Sequence, residues 1–292
     1  MQVGQCKYVI LTNQHGGVLN DPILLRVEED VYWFSLADSD ILFWAHGLAA
    51  NSDYDVEISE PDVSPLQLQG PKSRDIMVKI FGDEILDLKY YWFKKFIHNG
   101  VELIISRTGW SSELGYEIFL TDSVHGNDLY NTIMDIGHPM GLKPGHTSTI
   151  RRIEGGMLSY HADMTINTNP LELGMDKFIN LDQDFDFIGK DALINISNNG
   201  LSRKQVGIII EDNPMPGPNT RFWDVIKNGA VIGKVTSAVF SPRLKQNIGL
   251  ALVDIKYSDI GEELQINNGT KVLDCKIVKK PFYDPNKSLT KS

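Results

Sequence analysis

The stretch VELIISRTGWSSELGYEIFL, residues 101–120, contains two apolar runs separated by a short polar loop. The runs at 101–108 and 115–120 have the β-branched and aromatic composition of strands, and the loop GWSSEL between them carries turn residues. Neighbouring residues on a strand face opposite ways, so Tyr116 and Glu117 cannot both point into one core. We therefore expect one of the two side chains to be exposed or to line a cleft.

The rest of the first half alternates between strand and helix patterns. Strands are predicted at 7–12, 22–27, 31–36, 56–59 and 66–69, and helices at 38–49, 71–82, 124–137 and 147–160. Beyond the stretch NISNNGLSR at 195–203, short strand-like runs follow one another with Gly, Asn and Pro between them. These predicted strands lie at 205–210, 230–235, 247–253 and 271–278. This spacing is typical of a small all-β domain. The sequence therefore predicts an α+β region followed by a β domain.

Composition limits the classes of function. The chain has 292 residues, of which 42% are hydrophobic, which suffices for one large or two ordinary domains. A formal net charge of −10 argues against non-specific binding to nucleic acid, which needs basic patches. No apolar run is long enough to span a bilayer and no secretory signal pattern is found. The two cysteines lie far apart in the sequence, so we expect a reducing, cytoplasmic environment.

Several common catalytic motifs are missing from the sequence. It contains no phosphate-binding or dinucleotide-binding glycine motif, no H-E-x-x-H zinc motif and no G-x-S-x-G motif of serine hydrolases. The seven histidines are scattered without the spacing of metal ligands, so no metal site is expected. An enzyme with this sequence is expected to work by positioning and electrostatics.

Three stretches concentrate residues that suit a flat, polar ligand. Asp21 precedes Pro22, which restricts its backbone to extended conformations, and it is either a turn residue or a carboxylate aimed at a ligand. Trp110 lies in the loop after Gly109 and is either a packing residue or a ligand contact. In the predicted helix 147–160, two adjacent glycines cost about 1 kcal/mol each relative to alanine. Either a ligand or another backbone comes close there, or the helix packs tightly on a sheet.

Seven motifs together carry a resemblance to a known family. They are YVILTNQHGGVLNDPILL, LQLQGPKS, TGWSSELGYEI, IRRIEGGMLSY, FIGKDAL, SAVFSPRLKQNIGLALV and VKKPF. In this order they resemble the glycine cleavage T protein (aminomethyltransferase) family over nearly the whole chain. The resemblance implies an α+β folate-binding region with mixed and antiparallel sheets at 1–194 and a small β-barrel domain at 201–288. Family members carry a segment before the strand that contains Tyr8, so the chain is expected to be short at its N-terminus.

Within the family, four details resemble the branch that demethylates dimethylsulfoniopropionate. These are LNDP, SLADSDILFWAHGLA, GWSSE, and MLSYHADM together with NPLELGMDKFINLD, whereas RRIEGGM and SSELGYE depart from that branch. The resemblance implies methyl transfer to tetrahydrofolate, with methylmercaptopropionate and 5-methyltetrahydrofolate as products. Three alternatives stay open: an aminomethyltransferase with a lipoylated carrier protein as partner, a demethylase of another methylated onium compound, and a folate-binding protein without transferase activity.

The resemblance also implies roles for two residues near the reacting atoms. Asp21 matches the essential aspartate near the folate nitrogen that reacts, where it would stabilise positive charge. Trp110 would face the sulfonium through a cation–π contact worth about 2 kcal/mol when desolvated. The expected partners are a small sulfonium substrate and folate, with no nucleic acid, membrane or metal, and a homodimer is an open possibility.

Five further residues are implied to bind the folate, whose pterin would lie deep in a central cleft. Glu117 matches the glutamate that accepts hydrogen bonds from the pterin, and Tyr116 would line the same wall. Arg152 would meet a carboxylate or hold the cleft in shape. Tyr8 and Tyr160 would form further walls of the pocket.

Overall fold

The computed structural model describes residues 1–36 and 39–292. The chain divides into two compact units, each of which draws on separate parts of the sequence. Unit 1 consists of Met1–Tyr8, Pro22–Thr147 and Lys287–Ser292, and unit 2 of Val9–Asp21 and Ser148–Asn286. The limits 1–194 and 201–288 for two domains stay a prediction. In the described residues, no helix is both long and apolar enough to cross a membrane.

In chain order the strands are β1 (Cys6–Tyr8), β2 (Leu11–Thr12), β3 (Val18–Asn20), β4 (Ile23–Arg26), β5 (Tyr32–Ser35), β6 (Ser64–Gln69), β7 (Phe93–His98), β8 (Val101–Ser106), β9 (Gly115–Leu120), β10 (Arg203–Ile210), β11 (Trp223–Lys227), β12 (Ala230–Ser241), β13 (Gln246–Asp254), β14 (Glu263–Asn267) and β15 (Val272–Val278). The α-helices are α1 (Ile41–Ala49), α2 (Ser73–Phe81), α3 (Gly126–Gly137), α4 (Thr149–Glu154), α5 (Lys190–Asn199) and α6 (Ser288–Lys291).

Unit 1 is built on a four-stranded antiparallel sheet with the order β6-β9-β8-β7. One face of this sheet packs against α2 and α3, in a core that includes Met77, Leu129 and Ile118. The other face packs against the three-stranded sheet β1-β4-β5, where Leu25 meets Phe119 in a second core. Both faces of the central strand β9 are therefore covered, and all six of its residues are buried.

Unit 2 contains a closed six-stranded barrel with the order β10-β13-β12-β11-β14-β15. Its interior is filled by aliphatic side chains such as Ile208, Val225 and Ile266, none of which is exposed to solvent. The barrel confirms the small β domain that the short strand-like runs predicted. Outside the barrel, unit 2 carries the two-stranded sheet β2-β3 and the helices α4 and α5.

Three predictions of secondary structure are wrong in detail. The predicted strand 7–12 is split into β1 and β2, which pair with different strands. The predicted strand 56–59 is irregular, because Val56 is 53% exposed and no strand among the described residues pairs with it. The predicted helix 38–49 begins at Ile41, and the Asp40 side chain makes no capping hydrogen bond. Residue 38 of that prediction lies outside the described residues.

The predicted helix 147–160 is also too long, because α4 ends at Glu154. Gly155 and Gly156 follow the helix, so the expected cost of two glycines inside a helix does not arise. Gly156 has a φ of +65°, a left-handed conformation that favours glycine. A Cβ atom there would lie 3.4 Å from the Pro281 Cα. The close approach of another backbone is therefore real.

Candidate active site

Glu117 lies on β9 of unit 1, and two polar side chains hydrogen-bond to its carboxylate. The carboxylate is only 8% exposed, and the amide of Gln67, its cross-strand neighbour, donates a hydrogen bond of 2.9 Å to Oε1. The Thr108 hydroxyl donates a short hydrogen bond to Oε2, and Thr108 is itself hydrogen-bonded to Ser106. Burial raises the pKa of Glu117, although the hydrogen bonds from Thr108 and Gln67 act in the opposite direction.

This arrangement suits a ligand that offers a row of N–H donors. An ionised carboxylate accepts about four hydrogen bonds, and Gln67 and Thr108 supply two of them. The remaining lone pairs can accept from the ring and amino N–H groups of a pterin. The donor set around Glu117 therefore fits a folate, with the carboxylate as the group that would hold it.

Tyr116 lies next to Glu117 in sequence but on the opposite face of the sheet. It is fully buried in the core formed with α2 and α3, and its ring lies 5.2 Å from the guanidinium carbon of Arg107. Neither Tyr116 nor Glu117 is exposed, because β9 is covered on both faces. The structure does not bring the two side chains together, and the folate contact of Tyr116 stays a prediction.

Gln69 fixes the loop that carries Trp110. The Ser111 hydroxyl donates a hydrogen bond of 2.6 Å to Gln69 Oε1. A Cβ atom at either Gly109 or Gly115 would overlap the present position of the Gln69 amide group, so a larger residue at either position would displace that amide. Trp110 itself is half-buried. The sequence analysis did not identify Gln69 as a site residue, because the sequence shows only that it ends a predicted strand.

Asp21 follows β3 in unit 2, and its backbone N–H donates a hydrogen bond of 2.8 Å to the side chain of the buried Asn20. The carboxylate is half-buried. Burial raises the pKa of Tyr160, and the negative charge of the nearby Asp21 raises it further. Both residues belong to unit 2, and the roles predicted for them stay predictions.

Arg152, on α4, is 5% exposed and is bound by groups of unit 2. Its guanidinium donates hydrogen bonds to Asp163 Oδ2 at 2.7 Å and to Ser237 Oγ at 2.8 Å. Asp163 accepts further hydrogen bonds from the Thr236 hydroxyl at 2.5 Å and the Ser159 N–H at 3.0 Å. Arg152 therefore does meet a carboxylate, but it is one that the protein supplies. Sequence reasoning missed Asp163, because its spacing from Arg152 matches no motif.

The predicted site residues fall into two groups. Unit 1 carries Tyr8, Trp110, Tyr116 and Glu117, and unit 2 carries Asp21, Arg152 and Tyr160. Tyr8 is half-buried on β1 and pairs with Ile23 of β4. In the part of the chain that the structure describes, no group of three His, Cys, Asp or Glu residues could hold a metal ion. The roles of these site residues stay predictions.

Comparisons with known proteins agree with this architecture. Residues 1–183 match the family described as the GCVT N-terminal domain, and residues 203–284 match the glycine cleavage T-protein C-terminal barrel domain. The chain is 37% identical over 262 residues to the dimethylsulfoniopropionate demethylase DmdA of Ruegeria pomeroyi, covering 90% of this chain and 71% of that protein. It is 34% identical over 295 residues to an aminomethyltransferase of Alkaliphilus metalliredigens, covering 98% and 78%.

A solved structure shows the same fold. The crystal structure of glycine cleavage system aminomethyltransferase T from Bartonella henselae matches with a TM-score of 0.86 at 22% sequence identity, covering 98% of this chain and 78% of that chain.

Together these findings define a folate-dependent one-carbon transferase with tetrahydrofolate as its cosubstrate. The chain belongs to the glycine cleavage T-protein family. The predicted fold class, the enzymatic nature of the protein and its cosubstrate are confirmed.

Proposed function

We propose that the protein demethylates dimethylsulfoniopropionate and passes the methyl group to tetrahydrofolate. The observation that carries the proposal is the half-buried Asp21 carboxylate, whose negative charge raises the pKa of the Tyr160 phenol, since an acid together with an aromatic residue suits a small onium cation. The 37% identity to a dimethylsulfoniopropionate demethylase over 90% of the chain supports the choice of donor. The sequence LNDP around Asp21 supports it further.

The reaction breaks one sulfur–methyl bond and forms one nitrogen–methyl bond. The electron pair of the broken bond stays on sulfur, so that methylmercaptopropionate leaves as a neutral thioether. The folate nitrogen N5 supplies the pair for the new bond, and its proton is released to solvent. The sulfonium is already activated, so the protein has mainly to position the reactants and stabilise charge.

The residues have separate tasks in this reaction. Asp21 stabilises the cationic donor and then the positive charge that develops during transfer. Trp110 faces the sulfonium of the donor through a cation–π contact worth about 2 kcal/mol when desolvated. Glu117 accepts hydrogen bonds from the pterin and thereby orients the acceptor. Arg152, bound to Asp163, holds α4 in place against the barrel wall.

An aminomethyltransferase is the second candidate, favoured by 34% identity over 98% of the chain to a protein of that name. This second function requires an aminomethyl group on a lipoylated carrier protein and the release of ammonia.

We also propose that the enzyme is cytoplasmic, in line with its two free, buried cysteines.

The test compares the Asp21→Asn variant with the wild-type enzyme at saturating tetrahydrofolate. We expect kcat with dimethylsulfoniopropionate to fall about 100-fold, the usual loss when one preorganised electrostatic group is removed. Asp259→Asn, at an exposed position of the same unit, is the matched control and should retain full activity. Equal turnover by D21N and wild type would show that Asp21 does not stabilise charge in this reaction. Turnover of an aminomethyl-lipoyl donor with ammonia release would favour the second candidate.

A further inference from the structure

Two buried hydroxyl groups lie behind the Glu117 carboxylate. Thr108, which follows β8, donates a hydrogen bond to Glu117 Oε2, and its hydroxyl is hydrogen-bonded in turn to the hydroxyl of Ser106. Ser106 is fully buried and Thr108 is 4% exposed. The three side chains therefore form a buried chain of hydrogen bonds that ends at Oε2.

The two oxygens of the Glu117 carboxylate have different partners. Oε1 accepts a hydrogen bond from Gln67, an exposed residue of β6 at the edge of the sheet, whereas Oε2 accepts from the buried Thr108. Water can replace the amide of an exposed residue, but a buried group that loses its partner stays unpaired. The buried oxygen therefore relies on Thr108.

Hydrogen bonds, and no paired basic side chain among the residues that the structure describes, stabilise the charge on Glu117. Its cross-strand neighbours on β6 and β8, Gln67 and Ser106, are uncharged. From the sheet β1-β4-β5 the titratable group near Glu117 is the thiol of Cys6, whose pKa burial and the Glu117 charge raise to about 12, so the thiol stays neutral. A buried carboxylate in such surroundings stays ionised only through its hydrogen-bond donors.

The direction of the hydrogen bonds follows from the chemistry of the groups. An ionised carboxylate only accepts hydrogen bonds, and a hydroxyl has a single hydrogen to donate. When Glu117 is ionised, Thr108 gives its hydrogen to Oε2, so Ser106 must donate to Thr108. Ser106 thus polarises the Thr108 hydroxyl, and the pair acts as one donor that favours the charged form of Glu117.

We propose that Thr108, supported by Ser106, is a positioning residue that keeps the Glu117 carboxylate ionised and directs its remaining acceptor positions to tetrahydrofolate. The inference rests on the role proposed for Glu117 and is independent of the methyl donor. Thr108 acts through Glu117 and not on the ligand. It thereby sets the lowest pH at which the protein binds its cosubstrate tightly.

Three variants separate the hydroxyl from the shape of the side chain. Thr108→Val removes the hydroxyl and keeps a branched side chain of similar size, whereas Thr108→Ser keeps the hydroxyl and removes a methyl group. The matched control is Thr121→Val, directly after β9, which removes a hydroxyl that donates a hydrogen bond of 2.8 Å to the Glu102 carbonyl oxygen.

The binding test is calorimetric titration of the full chain with tetrahydrofolate, under anaerobic conditions, at about pH 6 and about pH 8.5. We expect T108V to raise the Kd about tenfold at the lower pH, as expected for one lost hydrogen bond to a charged group, and much less at the higher pH. T108S should restore binding at both pH values, and T121V should bind like the wild type. The titration of tetrahydrofolate itself cancels in the ratio of the Kd values. A ratio that is the same at both pH values would overturn the proposal, because a purely structural role predicts that result.

A measurement without ligand keeps this result distinct from failure of the role of Glu117. Burial raises the pKa of Glu117, so stability falls as pH rises through that pKa, and loss of the Thr108 hydrogen bond raises the pKa further. The fall in the urea unfolding midpoint between about pH 5 and about pH 8.5 should therefore be larger in T108V than in T108S. Equal falls would overturn the proposal. Unchanged tetrahydrofolate binding by Glu117→Gln would instead refute the role of Glu117, and the urea midpoints would then decide alone whether Thr108 keeps the carboxylate ionised.

Discussion

Replacing Glu117 by glutamine tests how the protein holds its cosubstrate. The carboxylate has about four acceptor positions, and Gln67 and Thr108 occupy two of them. Glutamine at position 117 keeps one oxygen as an acceptor but carries no charge. An NH2 group, which donates hydrogen bonds, replaces the other oxygen. One charge-assisted hydrogen bond to the pterin, worth about 1.5–3 kcal/mol, is then lost. We expect the Kd for tetrahydrofolate to rise about 10- to 100-fold.

Calorimetric titration of the full chain with tetrahydrofolate under anaerobic conditions measures this change. The matched control is Glu102→Gln, at an exposed position of the same sheet, where the carboxylate forms a salt bridge of 3.1 Å with Lys95. E102Q should bind tetrahydrofolate like the wild type. If E117Q also binds tetrahydrofolate with unchanged affinity, Glu117 does not hold the pterin.

Although E117Q should bind tetrahydrofolate more weakly, we expect it to be more stable against unfolding than the wild type. Because burial raises the pKa of Glu117, the folded state favours the protonated form, and stability is lost as pH rises through the raised pKa. E117Q cannot ionise and avoids this loss. At pH 7.5 it should therefore unfold at a higher urea concentration than the wild type, with the difference vanishing in acid. A lower midpoint at pH 7.5 would refute the reasoning.

Three further predictions concern unit 2. Asp163→Asn leaves the buried Arg152 guanidinium without its counter-charge and should cost about 3–5 kcal/mol of unfolding free energy in urea titrations. A loss below about 1 kcal/mol would contradict this prediction, because a solvent-exposed salt bridge contributes no more than that. Burial lowers the pKa of Lys280 from 10.5 to about 8, so stability should decline as pH falls from 10.5 to 8. Lys280→Met should abolish that dependence, and urea midpoints at both pH values test it. Gly17→Ala would push a Cβ atom into the Ile166 carbonyl oxygen and should lower the melting temperature, measured by calorimetry.

The elements that the sequence predicted well are those whose pattern is local. The pair of strands around the loop at 109–114 was predicted from composition and turn residues, and it occurs as β8 and β9. Two barrel strands, β11 and β14, were missed, because polar residues alternate with buried ones along them. In such short strands half of the residues face solvent, and their composition resembles that of a loop.

The burial of β9 shows where local reasoning ends. Alternation along a strand correctly separated Tyr116 from Glu117, but it could not show that both faces would be covered. The second cover is the sheet β1-β4-β5, which comes from a distant part of the sequence. In the same way, the helical pattern of the sequence extends to residue 160, whereas α4 ends at Glu154 and is followed by the left-handed Gly156.

The candidate site was predictable only in part for the same reason. Asp21 and Glu117 were found through motifs that surround them in sequence. The side chains that hold the site lie far away along the chain: Gln67 is 50 positions from Glu117, and Ser237 is 85 positions from Arg152. No spacing rule connects such pairs, so only the folded structure identifies them.

The most direct measurement is an incubation of the purified full chain with tetrahydrofolate and dimethylsulfoniopropionate carrying ¹³C in its methyl groups. Mass spectrometry then follows both products. We predict labelled 5-methyltetrahydrofolate and methylmercaptopropionate in equal amounts, at a rate that D21N lowers about 100-fold. Absence of both products, while tetrahydrofolate still binds, would contradict the proposed donor.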